Sequence, residues 1–159
     1  MATRKKDPLR GYKFIVNVPG FDRMGFKSCD GLNAEVAVIE YREGGDMATP
    51  RKIPGQTKFD NVTFERGQSS AEDGGADFIS WFNQVFERSR GFLQPPNDSF
   101  RRNVTVTLHD KAGDAKVQWI LHECWICRLE HEGLDASDDS ALAIEKMELC
   151  NEGISKTIL

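Results

Sequence analysis

The residues with the most obvious capacity for chemistry are cysteines. Cys124 and Cys127 stand as CWIC, a CxxC spacing that can hold a redox dithiol or half of a zinc site. A redox pair needs a thiolate held at a helix N-terminus. Around this pair, however, Val117, Trp119 and Leu121 alternate with Gln118 and His122, CWICRLE continues the extended pattern, and no helical period follows. In a strand, residues three apart are separated by about 10 Å and face opposite ways, beyond the roughly 7 Å within which a disulfide closes. Zinc would need two further ligands, and Cys29, Cys150, His109, His122 and His131 are scattered without a second close pair. The plain reading is reduced cysteines, one or two buried as small hydrophobes. Two alternatives stay open. In an assembly of stacked copies, Cys29, Cys124, Cys127 and Cys150 could meet across subunits and oxidise outside the reducing cytoplasm, with the pairing undetermined. The remoter one is a small cytoplasmic CxxC redox protein.

Other catalytic signatures are missing. No nucleophile elbow, phosphate loop or metalloprotease helix occurs. The three histidines stand singly, and Asp135, Asp138 and Asp139 crowd one turn without the alternating spacing and glycine of a calcium loop. The expectation is a non-enzymatic chain with no cofactor and no metal.

The elements that would position these residues are mostly strands. Tyr12, Phe14, Val16 and Val18 alternate with Lys13, Ile15 and Asn17 up to the breaker Pro19-Gly20. A second extended run covers Glu35 to Tyr41, and a third Val62 to Glu65. Val104, Val106 and Leu108 alternate with polar residues, and the turn DKAGD at 110–114 leads into Val117–Leu121 as a hairpin. CWICRLE predicts a further strand, LDASDDS at 134–140 a turn, and ALAIEKMELC at 141–150 a strand, because its apolar residues make no helical stripe.

One segment changes period. In residues 76–89, Phe78, Ile79, Phe82, Val85 and Phe86 form the stripe of an amphipathic helix that packs on a sheet. The fold class is therefore mostly β, an antiparallel β-sandwich or barrel with one flanking α-helix.

The 159 residues suffice for a single domain with a sizeable core, and 29% charged against 39% hydrophobic residues describes an ordered chain with a wet surface. The net charge of −4 argues against a nucleic-acid-binding domain. Its distribution is uneven: Arg4, Lys5, Lys6, Arg10 and Lys13 crowd the start, whereas residues 123–153 hold nine acids against Arg128 and Lys146. Such asymmetry can draw neighbouring copies together. No apolar stretch of secretory or bilayer-spanning length follows MATRKK, so folding in the cytoplasm without membrane insertion is expected.

Between the second and third extended runs lies EYREGGDMATPRKIPGQTKF, residues 40–59. Connections inside compact domains usually span about 4 to 6 residues, and much longer ones tend to be functional or disordered. Folded back as a hairpin, about sixteen residues reach roughly 25 Å.

DPLRGYKFIVNV, CDGLNAEVAVIEYREGGD, RKIPGQTKFDNVTFERG, the aromatic helix and LDASDDSALAIEKMELCNEGI, in that order and covering nearly the whole chain, resemble the tail tube proteins of contractile phages and related injection systems. The resemblance implies six copies per ring, their strands closing into a shared barrel around a channel. Rings stack into a tube inside a contractile sheath, with a baseplate at one end and a tape-measure protein and then DNA in the lumen. The virion tail would be assembled in the host cytoplasm. A tube subunit of a phage-derived toxin particle or secretion system, carrying protein cargo, is the alternative.

The resemblance divides the single domain, 1–159, into a basic N-terminal arm (1–11), an inter-subunit stacking loop (43–58) and the helix (76–89). It places Arg42, Glu43, Asp46, Arg51, Lys52 and Pro54 at the junction between rings, and Arg4, Lys5, Lys6 and Arg10 on an arm that contacts a neighbour or the sheath. It assigns nothing to the cysteines. An acidic subunit suits a conduit, because a basic lining would retain phosphates.

Overall fold

The computed structural model describes residues 8–21, 25–45, 48–68, 75–89, 100–140 and 142–159, with the side chains of 75–77 and 86–89 left out. The described elements are β1 (Phe14–Asn17), β2 (Ser28–Asp30), β3 (Ala34–Tyr41), β4 (Arg51–Phe59), β5 (Val62–Gly67), α1 (Gly75–Ser89), β6 (Arg102–His109), β7 (Ala115–His131), β8 (Ile144–Cys150) and β9 (Gly153–Ile158). All strand pairs are antiparallel. One sheet runs β1-β6-β7-β8-β5-β2 with β9 also on β7, and β3 and β4 pair only with each other.

The organising element is β7. Sequence periodicity suggested two strands here, yet residues 115–131 form one, 17 residues long. Its first part pairs with β6 and β9, its last part with β8. The change occurs at Glu123, whose φ of 53° is left-handed. A bulged residue in this region bends a strand sharply. The partner strand breaks at the same level: β8 ends at Cys150, β9 begins at Gly153, and Glu152 N–H bonds His122 O at 2.9 Å across the gap. A bend at one residue keeps each part of β7 alternating, so it is invisible as a breaker. The short β9 was not foreseen because GISKTI has little apolar content.

Both parts of the bent sheet feed one core. Val16, Val18, Val104, Val106 and Leu121 come from the β1–β6–β7 side, Val62, Phe64, Ile126, Met147 and Leu149 from the β5–β8–β7 side, and Cys124 from the bend. The strict alternation of buried and partly exposed residues along β5 and β8 gives each a dry and a wet face.

The helix adds Phe78 and Trp81 to this core. Ile79, expected on the apolar stripe, is 45% exposed, and Trp81 takes the inward position with no exposure. Phe78, Trp81, Phe82 and Val85 also recur at helical spacing, and that stripe prevails because the indole N–H can donate to Phe100 O at 2.6 Å. Phe21 packs edge-on against Phe78 at 6.1 Å. Phe86 of the expected helix has no described side chain.

A buried ion pair supports the helix from below. Arg66 on β5 sits directly opposite Glu145 on β8, with Nε to Oε2 at 2.9 Å and both side chains almost wholly buried. The Arg66 guanidinium lies 4.1 Å from the centroid of the Phe78 ring, a cation-π contact that joins α1 to the sheet.

Candidate functional site

The β3–β4 hairpin stands apart from the core. Its strands pair from Ala34 with Phe59 to Tyr41 with Arg51. Beyond this pairing they make only slight contact with the other described elements. At about 3.3 Å per residue, the eight residues of β3 extend the hairpin roughly 26 Å. The expected 43–58 loop is therefore half strand: residues 51–58 belong to β4, and β3 is the visible half of a hairpin whose return half is hidden by Pro54 and Gly55. A proline is tolerated at an edge or bulge. Pro54 lies where the register shifts between Val36 and Val38, and a Cβ on Gly55 would come 3.1 Å from Ala37 O.

The root of the hairpin is tightly built. Gly31, with φ +96°, lies where an added Cβ would be 2.2 Å from Asn61 O, so no other residue fits without a backbone shift. Asn33 Nδ2 donates to Asp60 Oδ2 at 3.2 Å, and Asp60 N–H to Asn33 O at 3.3 Å, stitching entry strand to exit strand. The hairpin leaves the sheet from a rigid base.

Its surface carries what an interface needs. Val36, Val38, Ile39, Tyr41 and Ile53 are all exposed, Val38 to 63%. These exposed apolar side chains lie together on an element that has little contact with the other described elements. Val36, Val38, Ile39 and Tyr41 belong to the extended run expected from the sequence and Ile53 to the expected loop; periodicity reports a strand but not whether the same chain covers it.

Four of the expected junction residues come together at the far end. Lys52 opposes Glu40 and Arg51 opposes Tyr41, and Arg42 and Glu43 follow directly. Tyr41 O–H donates to Glu43 Oε1 at 2.7 Å, which raises the tyrosine pKa. Pro54 lies further down at the bulge, Gly45 supplies a left-handed turn at φ +98°, and Asp46 lies outside the described residues.

Of the N-terminal residues, Arg4, Lys5 and Lys6 lie outside the described residues. Arg10 is exposed and borders a groove formed with Leu9, Tyr12, Val117, Ile158 and Leu159.

The cysteines do not gather as CxxC. Cys124 points into the core and its thiol is pushed up to about 12, chiefly by burial. Cys127 lies on the wet face, with a register shift between Ile126 and Arg128, so the two face opposite ways as the strand period required. Cys29 on β2 is likewise pushed up to about 12 by burial and by Asp30. A low-pKa thiolate, the requirement of a redox CxxC, is thus replaced by its opposite. What sequence spacing could not show is that Cys127 meets Cys150, 23 positions later, through β7–β8 pairing.

Three of the remaining candidates make local or cross-strand hydrogen bonds. His122 Nε2 and Ser155 Oγ are 2.8 Å apart across β7 and β9. Asp135 and Asp138 each accept bonds from the backbone and hydroxyl of the serine two residues on, Ser137 and Ser140, closing two tight turns. Among the described residues no cluster of three or more His, Cys, Asp or Glu could hold a metal ion, and no helix is long and apolar enough to cross a membrane.

The profile of the T4-like virus tail tube protein gp19 family matches residues 10–155. The chain belongs to this family. The tail tube protein shares its fold with a chain of the PVC extracellular contractile injection system sheath-tube complex in the extended state, at 24% identity and a TM-score of 0.77 over 96% of this chain and 93% of that one. A chain of the anti-feeding prophage tube-terminating cap is similar at 21% identity and a TM-score of 0.78, covering 100% and 97% of the two chains. A type six secretion system protein is more distant, at 11% identity and a TM-score of 0.54 over 92% and 83%. A search of curated protein sequences gave no match. The family is one of structural tube components.

Proposed function

We propose that this tail tube protein assembles as hexameric rings that stack into a tube within a contractile sheath, the strands of six copies closing one barrel around a channel for DNA. The observation that carries this reading is the β3–β4 hairpin, with Val36, Val38, Ile39, Tyr41 and Ile53 exposed on it, charges at its far end and little contact with the other described elements. An isolated two-stranded hairpin is marginal in water. A second copy would cover Val36, Val38, Ile39 and Ile53, with Arg42, Glu43, Arg51 and Lys52 lying at the ring junction. The wet face of β5–β8–β7, with Glu65, Lys146, Glu132, Arg128 and Glu130 in alternating sign, suits the wall of a water-filled channel. The sheath outside, the baseplate at one end and the tape-measure protein inside complete the machine in this reading, with the N-terminal arm reaching a neighbour or the sheath. The subunit would be assembled in the host cytoplasm and retained in the virion tail.

A second reading keeps the tube and changes its cargo. Two of the solved neighbours described above come from an extracellular contractile injection system and an anti-feeding prophage, and in this reading the subunit belongs to a phage-derived particle carrying protein cargo. A capsid or portal gene beside this one would decide for the phage. Electron microscopy of the purified protein tests the assembly itself. Rings or tubes with a central channel are expected, and deletion of residues 44–55 should preserve the β-fold while abolishing stacking. A strict monomer at high concentration and with baseplate present would overturn the proposal.

A further inference from the structure

We propose that Cys127 and Cys150 form an intramolecular cross-strand redox couple, a thiol-disulfide modification site on the wet face of the β7–β8 pair. Trp125 pairs with Cys150 and Ile126 with Leu149, and the register shift that follows lets Cys127 bulge out between Leu149 and Glu148. Alternation sends Cys124, Ile126, Met147 and Leu149 into the core, and Cys127 and Cys150 to the opposite face, partly exposed. The two thiols are diagonal neighbours on one face of adjacent strands, close enough to interact directly.

Cys127 is also fixed in place. Its S–H donates to Glu148 O at 3.4 Å, and Asn61 Nδ2, which bonds Glu148 Oε1 at 2.8 Å, lies 3.9 Å from the same sulfur. Burial, then Cys150 and Glu148, push this thiol up to about 12, so the resting form is the protonated, hydrogen-bonded thiol. Cys29 and Cys124 are excluded as partners by position: Cys29 opposes Phe64 on the far side of β5, and Cys124 is enclosed by the core.

The oxidant is a low-molecular-weight disulfide. One protein thiolate attacks a sulfur of that disulfide and expels one small thiol. The second protein thiolate then attacks the protein sulfur of the mixed disulfide and expels the other small thiol. Two protein thiols are oxidised by two electrons, the small disulfide is reduced by two, and the two cysteine protons leave on the released thiols. The bond formed staples β8 to β7 across the turn at 132–143.

The test uses the full chain incubated with oxidised glutathione, followed by proteolysis and mass spectrometry without reduction. The expected result is a Cys127–Cys150 linked peptide from monomeric protein, lower in mass by two hydrogens, and a thermal midpoint raised by roughly 5–10 °C that dithiothreitol reverses. Cys127→Ser and Cys150→Ser should each remove the linked peptide and leave a glutathione adduct on the remaining cysteine. Wild-type protein that yields only glutathione adducts, only inter-chain links, a link involving Cys29 or Cys124, or no oxidation would overturn the proposal. Because the linked peptide is sought in the unmodified chain, the result does not depend on any variant folding.

Discussion

Asn103 Oδ1 accepts a hydrogen bond from the backbone N–H of Glu123 at 3.0 Å, at the residue where β7 turns from one half of the sheet into the other. This contact satisfies a donor that the bend removes from the strand ladder, so the side chain of β6 stabilises the corner on which the whole core is folded.

Asn103→Ala should therefore lower stability by about 1–2 kcal/mol, the cost of leaving a backbone donor without its acceptor. At Glu123 the left-handed backbone sets the outcome by residue type: glycine is expected to be tolerated within about 1 kcal/mol, and valine to cost roughly 1–3 kcal/mol. Urea denaturation of the three variants checks both expectations. A Glu123→Val variant as stable as the parent would mean that the strand straightens without penalty.

Removing one member of the buried Arg66–Glu145 pair should cost about 3–5 kcal/mol, because Glu145→Ala leaves a guanidinium in the core without its carboxylate. Replacing both, as Arg66→Met with Glu145→Leu, should recover much of that loss. A double-mutant cycle in denaturant measures the difference; additive losses would show that the two side chains do not depend on each other.

The Lys146–Glu65 contact at 3.2 Å gives a pH dependence whose sign follows from its shifts. The Lys146 hydrogen bond lowers the Glu65 pKa, so its contribution is present above the ordinary glutamate range and is lost as pH falls through the lowered folded value. Glu65 in turn raises the Lys146 pKa, so that contribution holds at neutral pH and is lost as pH rises through the raised folded value. Both groups lie at the surface, so the effect is small. Thermal midpoints across pH should fall slightly less steeply at the acid end for Lys146→Met than for the parent; equal acid limbs would remove the contact from the stability of the fold.

In the proposed assembly the hairpin would separate folding from ring stacking. Val38→Asp and Ile53→Asp add charge to side chains that their own chain leaves exposed, so each should change monomer stability by no more than about 0.5 kcal/mol. Each should nevertheless prevent ring stacking, because a buried unpaired carboxylate is costly in an interface. Sedimentation of assembled material reads this directly, and tubes formed normally by both variants would place the contact elsewhere.

Much of this arrangement was legible in the chain. The alternation in β1, β5 and β6 and the Asp110-centred turn, where Asp110 Oδ1 accepts from Ala112 N–H at 2.9 Å and Asp114 N–H at 3.0 Å, are local patterns read by local rules. The opposite facing of Cys124 and Cys127 followed from strand period alone. The whole-chain resemblance named the family that the profile match then showed.

What sequence could not supply were relations between distant residues. Whether Ile79 or Trp81 faces the sheet depends on a carbonyl at Phe100. Whether β7 is one strand or two depends on an asparagine 20 positions earlier that holds the bend. The meeting of Cys127 with Cys150 depends on the β7–β8 register, and the exposure of β3 on what the rest of the chain leaves uncovered. By itself the sequence determined β1, β3, β5, β6, β8 and the presence of the helix, because periodicity is a property of neighbours along the chain. The tertiary structure decided which faces meet and which remain open, because those depend on the register and packing of segments far apart in sequence.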